Sequence, residues 1–149
     1  MNRPESELEV FELLVQVQPA DIDALGHVNN VVYLRWAQEA AVAHWQAAAP
    51  AEALQRLVWV VVRHEIDYLR PARLGDRVRV RTWVGGASRF RFERYTEIVR
   101  ADDQAVLARV RTLWCPLDRQ TGRVTEVGAE VRARFSTGSL LNRAAKAPI

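Results

Sequence analysis

The chain has 149 residues, a formal net charge of +3, 49% hydrophobic residues and 26% charged residues. This composition predicts one soluble globular domain over residues 1–149, and no apolar run approaches the roughly 20 residues that cross a bilayer. A single cysteine, Cys115, excludes an internal disulfide and a cysteine-based metal cluster. The three histidines show no zinc-ligand spacing. Because the N-terminus MNRPESELEV lacks the order of a secretory signal, we expect a cytoplasmic protein.

The central predicted element is a long helix over residues 31–49, VVYLRWAQEAAVAHWQAAA. This segment is rich in alanine and has no glycine or proline before Pro50. At 1.5 Å per residue the helix is about 28 Å long. Apolar residues at steps of three and four predict the stripe that faces the core. The stripe consists of Val31, Leu34, Ala37, Ala41 and Trp45.

Five strands are predicted around this helix, because the remaining segments alternate or are rich in β-branched residues. They cover residues 8–18, 57–69, 77–84, 89–99 and 105–117. Short connections, such as the turn at 85–88, predict antiparallel hairpins and a meander of the last four strands. A weaker element is expected at 123–135 and a flexible tail at 136–149, outside a core of about 9–135.

One long helix against five antiparallel strands predicts an α+β fold with the helix on one face of the sheet. A sheet of this kind leaves two edges and a broad face, which favours a homodimer or homotetramer.

A polar loop, DIDALGHVNN at 21–30, ends where the helix begins. Asn29 or Asn30 is a good N-cap, and the first helical N–H groups have no partner inside the helix. Such a terminus can stabilise negative charge that develops on a thioester or ester carbonyl. Asp23 is a candidate nucleophile or general base, and Gly26 lets the chain turn between acid and cap. The alternative is that the loop only caps the helix, since Asp and Asn are common in turns.

The stretch DIDALGHVNNVVYLRW at 21–36 closely resembles the signature of hot-dog fold thioesterases of the 4-hydroxybenzoyl-CoA thioesterase type. It is also similar to the D-x-D-x-x-x-H-V-N-N run of plant acyl-ACP thioesterases. A second stretch, IDYLRPARLGD at 66–76, resembles the strand and turn that follow the central helix in this superfamily. The resemblance covers roughly residues 9–118. It implies a hot-dog fold, a five-stranded antiparallel sheet wrapped around one long central helix.

The resemblance also implies roles for single residues. Asp23 matches the catalytic carboxylate, which attacks the thioester carbonyl or activates water, and the backbone N–H of Asn30 matches the donor that polarises this carbonyl. His27 matches a histidine of the plant site. Plant enzymes carry an asparagine where this chain has Leu25, which favours the mechanism centred on Asp23. Asp21 is interpreted as a turn or hydrogen-bonding residue.

Substrate contacts are predicted on both sides of the thioester. Asn29 caps or positions the helix, and Tyr33 either belongs to the core or lines the acyl pocket. In members of this family, the turn that here ends at Ser88 lies close to the pantetheine arm of the substrate. Two arginines beyond this turn, Arg89 and Arg91, are candidates to pair with the phosphates of coenzyme A. The alternative is a solvated sheet face, since glutamates interleave with the arginines.

The sequence therefore predicts a thioesterase that hydrolyses acyl-CoA, with its site at a subunit interface and no metal or redox cofactor. Alternatives are an acyl-ACP thioesterase and a non-catalytic acyl-binding module. A hot-dog hydratase is disfavoured because neither a G-D-x-N-P-x-H nor an H-F-P-G string occurs. Nucleic acid and membrane are not expected partners, although the ladder Arg77, Arg79 and Arg81 is basic on one side.

Overall fold

The computed structural model describes residues 10–135, which contain one antiparallel sheet of five strands. The strands are β1 (Phe11–Gln16), β2 (Leu57–Tyr68), β3 (Arg77–Ala87), β4 (Phe92–Arg100) and β5 (Val106–Asp118). The helices are α1 (Asn30–Ala48), α2 (Ala51–Arg56) and α3 (Ala129–Phe135). The predicted α+β fold, with one long helix packed on a five-stranded antiparallel sheet, is confirmed. Among the helices of residues 10–135, none is long and apolar enough to cross a membrane.

The strand order is β1-β3-β4-β5-β2, so the predicted meander is wrong for its first strand. Only β3, β4 and β5 are successive hairpin neighbours, whereas β2 pairs with β5 and β3 pairs with β1. The connection between Tyr68 and Arg77 is longer than the two to five residues typical of hairpin loops. It therefore carries the chain away from β2 instead of folding it back on the adjacent strand.

The predicted stripe of α1 is confirmed only in part. Its members Ala37 and Ala41 are buried, whereas Val31 is 66% exposed. The buried face is therefore rotated from the predicted one, toward Tyr33 and Trp36. Tyr33 and Trp36 pack with fully buried sheet residues such as Val80, and the aromatic bulk decides which face turns inward.

Several predicted boundaries also shift. Pro50 ends α1 as predicted, yet it is also the N-cap residue of the unpredicted α2. The predicted element at 123–135 is helical only over Ala129–Phe135. The predicted tail at 136–149 and the first residues of the predicted strand at 8–18 lie outside the described residues.

The hairpin between β3 and β4 turns later than predicted. β3 continues through the two glycines to Ala87, with a register irregularity between Val84 and Ala87. Gly86 permits this path, because a Cβ there would lie 3.2 Å from Oε1 of Glu93. The turn therefore consists of residues 88–91, closed by a 2.9 Å hydrogen bond from the Ser88 N–H to the Arg91 carbonyl.

Candidate active site

The polar loop forms a small hairpin that leads into α1. The N–H of Asp23 donates to the carbonyl of His27 at 2.8 Å, and the N–H of Asn29 donates to the carbonyl of Asp21 at 2.8 Å. Gly26, at φ +80°, donates its N–H to the Asp23 carbonyl at 3.1 Å and closes the tip. The predicted sharp turn at Gly26 is confirmed, and backbone hydrogen bonds fix Asp23 relative to the helix start.

The Asp23 carboxylate has one oxygen engaged by the loop itself. Its Oδ1 accepts the N–H of Leu25 at 2.9 Å and the N–H of His27 at 3.4 Å. Within residues 10–135 no hydrogen bond reaches Oδ2, and the side chain is half-buried. One oxygen thus orients the carboxylate, and the other has no partner in this part of the chain.

The start of α1 presents a single uncapped amide. Oδ1 of Asn29, the N-cap, accepts the N–H of Val31 at 3.1 Å, and the Asn29 carbonyl accepts the N–H of Val32 at 2.9 Å. The N–H of Asn30 has no acceptor in the described part of the chain. The capping interpretation of Asn29 is confirmed, and its cap leaves the Asn30 N–H as the donor at the helix terminus.

Tyr68, which sequence reasoning did not single out, steadies this terminus from β2. Its hydroxyl donates to the Asn30 carbonyl at 2.9 Å. Partial burial raises the pKa of Tyr68, so the hydroxyl stays protonated at neutral pH. The signal was present in the second matched stretch, which contains this tyrosine.

That second stretch, 66–76, also forms hydrogen bonds that fix the polar loop and the helix start. The Ala72 carbonyl accepts the N–H of Val28 at 3.0 Å, and the Ala72 N–H donates to the Tyr33 hydroxyl at 2.8 Å. Tyr33 is 2% exposed, and its ring contacts those of Trp36 and Tyr68 edge-on. Within the single chain Tyr33 is a core residue, and its contact with substrate stays a prediction.

The two other polar residues of the loop differ in their partners. Asp21 is buried, with Oδ1 3.0 Å from Nη2 of Arg35 and Oδ2 accepting the Gln18 N–H at 2.9 Å. It therefore has the hydrogen-bonding role that the sequence suggested. The His27 ring is half-buried and makes no hydrogen bond to residues 10–135. Its role toward Asp23 or water stays a prediction.

The predicted carrier-binding residues Ser88, Arg89 and Arg91 are exposed on the β3–β4 turn. Arg89 forms an ion pair with Glu126 and lies over the Phe90 ring, 5.2 Å from its centroid. This turn follows the end of β3, whereas the Asp23 loop is bonded to the segment just before β3. The 11 residues of β3 span ten steps of about 3.3 Å and so separate them by about 33 Å. One chain therefore does not bring the turn and Asp23 together.

The arginine ladder on the outer face of the sheet is compensated by acids. Arg77 pairs with Asp102 at 3.2 Å, and Arg81 pairs with Glu12 at 2.9 Å. Arg79 also lies 3.6 Å from Glu12. The ladder is therefore not a one-sided basic strip. No group of three metal-ligating side chains occurs within residues 10–135, and Cys115 is buried.

Residues 17–135 match the family model of the thioesterase-like superfamily, and the chain belongs to that family. It is similar to the crystal structure of a thioesterase from Thermus thermophilus complexed with coenzyme A and zinc. The TM-score is 0.73 and the identity 30%, over 83% of this chain and 95% of that one. It is also similar to a 1,4-dihydroxy-2-naphthoyl-CoA thioesterase from Synechocystis. The TM-score is 0.70 and the identity 25%, over 80% and 90% of the two chains.

Among curated proteins, the chain is 27% identical over 135 residues to a chloroplastic palmitoyl-acyl carrier protein thioesterase from Gossypium hirsutum. That match covers 85% of this chain and spans about a third (33%) of the relative's length. The predicted resemblance to hot-dog thioesterases, on both the CoA and the acyl carrier protein side, is confirmed.

Proposed function

We propose that this protein hydrolyses acyl-CoA to a free acid and coenzyme A, with Asp23 and the N–H of Asn30 as the central groups. The observation that carries this proposal is that two polar groups without hydrogen-bond partners lie on one rigid unit, the loop hairpin and the helix start that follows it. Oδ2 of Asp23 and the N–H of Asn30 are both without partners among residues 10–135. A thioester carbonyl needs a base or nucleophile and an oxyanion donor, which these two groups supply.

The reaction follows one of two routes. As general base, Asp23 takes a proton from water while the water oxygen attacks the carbonyl carbon, and the Asn30 N–H stabilises the oxyanion. Collapse of the intermediate breaks the C–S bond, and the thiolate receives a proton. As nucleophile, Asp23 itself attacks and releases the thiolate, and water then cleaves the resulting anhydride. Gly26 and Asn29 support either route, since they set the tip and the cap.

The separation between Asp23 and the β3–β4 turn supports a site shared between two chains. β2 lies at the sheet edge with 12 residues, and its Val60 and Val62 are 41% and 51% exposed. Long apolar edges favour pairing with another strand. A two-fold dimer formed through β2 would place the partner's strands antiparallel to the strands of this chain. It would thereby bring the partner's copies of Ser88, Arg89 and Arg91 toward Asp23.

An acyl carrier protein thioester is the second candidate substrate. The similarity to palmitoyl-acyl carrier protein thioesterases favours it, although the chain spans a third of such a relative. A carrier protein would approach the same loop and turn. Comparing turnover of one acyl group on the two carriers separates the candidates.

The test is thiol release from a panel of acyl-CoAs, from short aliphatic to long-chain and aryl, by wild type and by Asp23→Asn. We expect wild type to cleave at least one member and the variant to lose roughly 10²-fold or more. Asp102→Asn is the matched control, because it removes an exposed carboxylate from the distant β4–β5 turn.

Equal rates for wild type and Asp23→Asn would refute the role of Asp23. If only acyl carrier protein thioesters are cleaved, the second candidate substrate is correct. If neither carrier's thioesters are cleaved, the protein is a non-catalytic acyl-binding module.

A further inference from the structure

A cavity of about 240 Å³ lies inside the fold, away from the polar loop, and has a charged side chain in its wall. The cavity lies between the second half of α1 and the start of β2, against β4 and β5. Its walls are mainly apolar and aromatic. They include Trp45, Trp59, Phe92 and Trp114, with Gln38 and Arg119 among the polar residues. The cavity is somewhat smaller than the roughly 300–1,000 Å³ of sites for drug-sized ligands, so it suits the end of an acyl chain.

The charged group in its wall is Arg94, whose side chain is almost wholly buried at 4% exposure. Burial lowers the pKa of Arg94 to about 9, so the guanidinium remains charged at neutral pH. Among residues 10–135 no carboxylate lies within ion-pair distance of it, although most buried charges in proteins are paired. A buried cation without a counterion is strongly unfavourable unless something else compensates the charge.

The protein compensates only part of this guanidinium. Nη1 donates to Nδ1 of His44 at 3.0 Å and to Oγ1 of Thr82 at 3.1 Å. Because arginine only donates, Nδ1 of His44 is the acceptor and the ring is neutral. This accounts for both hydrogens of Nη1. Nε and Nη2 have no acceptor among the described residues and hold the remaining three of the five N–H donors.

Two tryptophans of the cavity also have N–H donors without acceptors. The indole N–H groups of Trp59 and Trp114 are buried without a hydrogen-bond partner in the described part of the chain. Buried donors are normally satisfied by protein, water or ligand. The cavity therefore combines apolar walls with a local excess of donors and one uncompensated positive charge.

We propose that this cavity binds the far end of an acyl group that carries a terminal carboxylate, with Arg94 as the residue that recognises it. The planar guanidinium fork matches a carboxylate, which would accept from Nε and Nη2 together. The aromatic walls would contact the methylene chain. This inference names a substrate class for the proposed function and rests on it, namely the monothioesters of long-chain dicarboxylic acids.

The cavity is placed suitably along α1. Gln38, which lines it, lies eight residues from Asn30, about 12 Å along the helix at 1.5 Å per residue. Arg94 lies further along, because His44, to which it donates, is fourteen residues from Asn30, about 21 Å. An acyl group that reaches both ends must therefore be a long chain. The cleavage groups at the helix start and the anion site near its second half thus share one rigid element. The carboxylate would bind Arg94 while the thioester lies toward the exposed surface.

The first experiment measures binding without any hydrolysis. Tryptophan fluorescence reports on the cavity directly, because three of the five tryptophans line it. Hexanoate and octanoate are titrated into the full-length protein, with methyl hexanoate and methyl octanoate as neutral counterparts. We expect the carboxylates to bind roughly tenfold to a hundredfold more tightly than the esters, the range for hydrogen bonds to charged groups.

Variants assign this preference to one residue. Arg94→Met should remove the preference for the carboxylate, and Arg94→Lys should retain part of it. Arg73→Met is the matched control, because it deletes an exposed arginine outside the cavity. Equal binding of carboxylate and ester by wild type would overturn the proposal whether or not the variants fold. Binding that Arg94→Met leaves unchanged would overturn it as well.

The second experiment separates this inference from the proposed function. Wild type is assayed with the CoA monothioester of a twelve-carbon dicarboxylic acid and with dodecanoyl-CoA. We expect kcat/KM at least tenfold higher for the former, and a reversed ratio in Arg94→Met. If neither thioester is cleaved but the carboxylate preference in binding holds, the proposed function fails while the anion site stands. Cleavage of both at equal efficiency refutes the substrate class alone.

Discussion

Acid should destabilise this protein through His44, and the size of the effect follows from its surroundings. His44 is 8% exposed, lies between the rings of Phe11 and Phe135, and accepts a hydrogen bond from Arg94. Burial, with a smaller contribution from the Arg94 charge, lowers the pKa of His44 from 6.5 to about 3. The folded protein therefore excludes a proton that the unfolded chain binds below pH 6.5.

The sign of the pH dependence follows from this difference. Between pH 6.5 and pH 3 the unfolded state binds more protons than the folded state, so the free energy of unfolding rises with pH. One pH unit in this window corresponds to about 1.4 kcal/mol. Lowering the pH from 6.5 to 5 should therefore remove about 2 kcal/mol of stability through His44 alone.

Urea unfolding at pH 7 and pH 5 measures this difference. His44→Gln keeps an acceptor for Arg94 but does not titrate. Its stability should thus fall by about 2 kcal/mol less than that of wild type between the two pH values. Burial also lowers the pKa of His64, which is only half-buried, so the comparison variant His64→Gln should reduce the loss in the same direction but by less than His44→Gln. If His44→Gln loses as much stability as wild type on acidification, His44 is not the group that couples folding to pH.

Two other expectations concern the site and the assembly. Tyr33→Phe leaves the buried N–H of Ala72 without its acceptor and should lower the free energy of unfolding by about 1–3 kcal/mol in urea titrations. A variant as stable as wild type would show that this hydrogen bond is dispensable. Val62→Lys should shift the protein toward monomer in sedimentation velocity and lower thioesterase activity, whereas Val124→Lys, exposed but outside β2, should do neither. An unchanged dimer in Val62→Lys would refute pairing through β2.

The strands and the backbone path of the loop were predictable because they depend on local pattern. Strict alternation in 77–84 placed Val78 and Val80 on one face, and both are fully buried. The loop was recognisable because Asp, Gly and Asn have distinct backbone roles in it. Gly26 adopts a positive φ and Asn29 caps the helix, as their residue types suggested.

The packing face of α1 and the place of β2 depend on contacts between distant segments. Val31 and Val32 are equally apolar, so the sequence does not indicate which of them faces the sheet. Their burial, 66% exposed against 6%, is decided by where Tyr33 and Trp36 fit. The pairing of β2 with β5 depends likewise on the path of the long connection that follows Tyr68.

Arg94 shows how a strand pattern can contain a functional signal that is easily missed. In RFRFERYTEIV the phase of Phe92, Thr96 and Ile98 is the inward phase, and Arg94 shares it. A buried ion is often replaceable by an apolar side chain with no loss of stability, so packing does not require an arginine here. His44 and Thr82 satisfy one nitrogen of the guanidinium and leave the other two facing an apolar cavity without acceptors. A carboxylate that enters the cavity completes the hydrogen bonds and neutralises the charge, which gives this residue a reason to be charged.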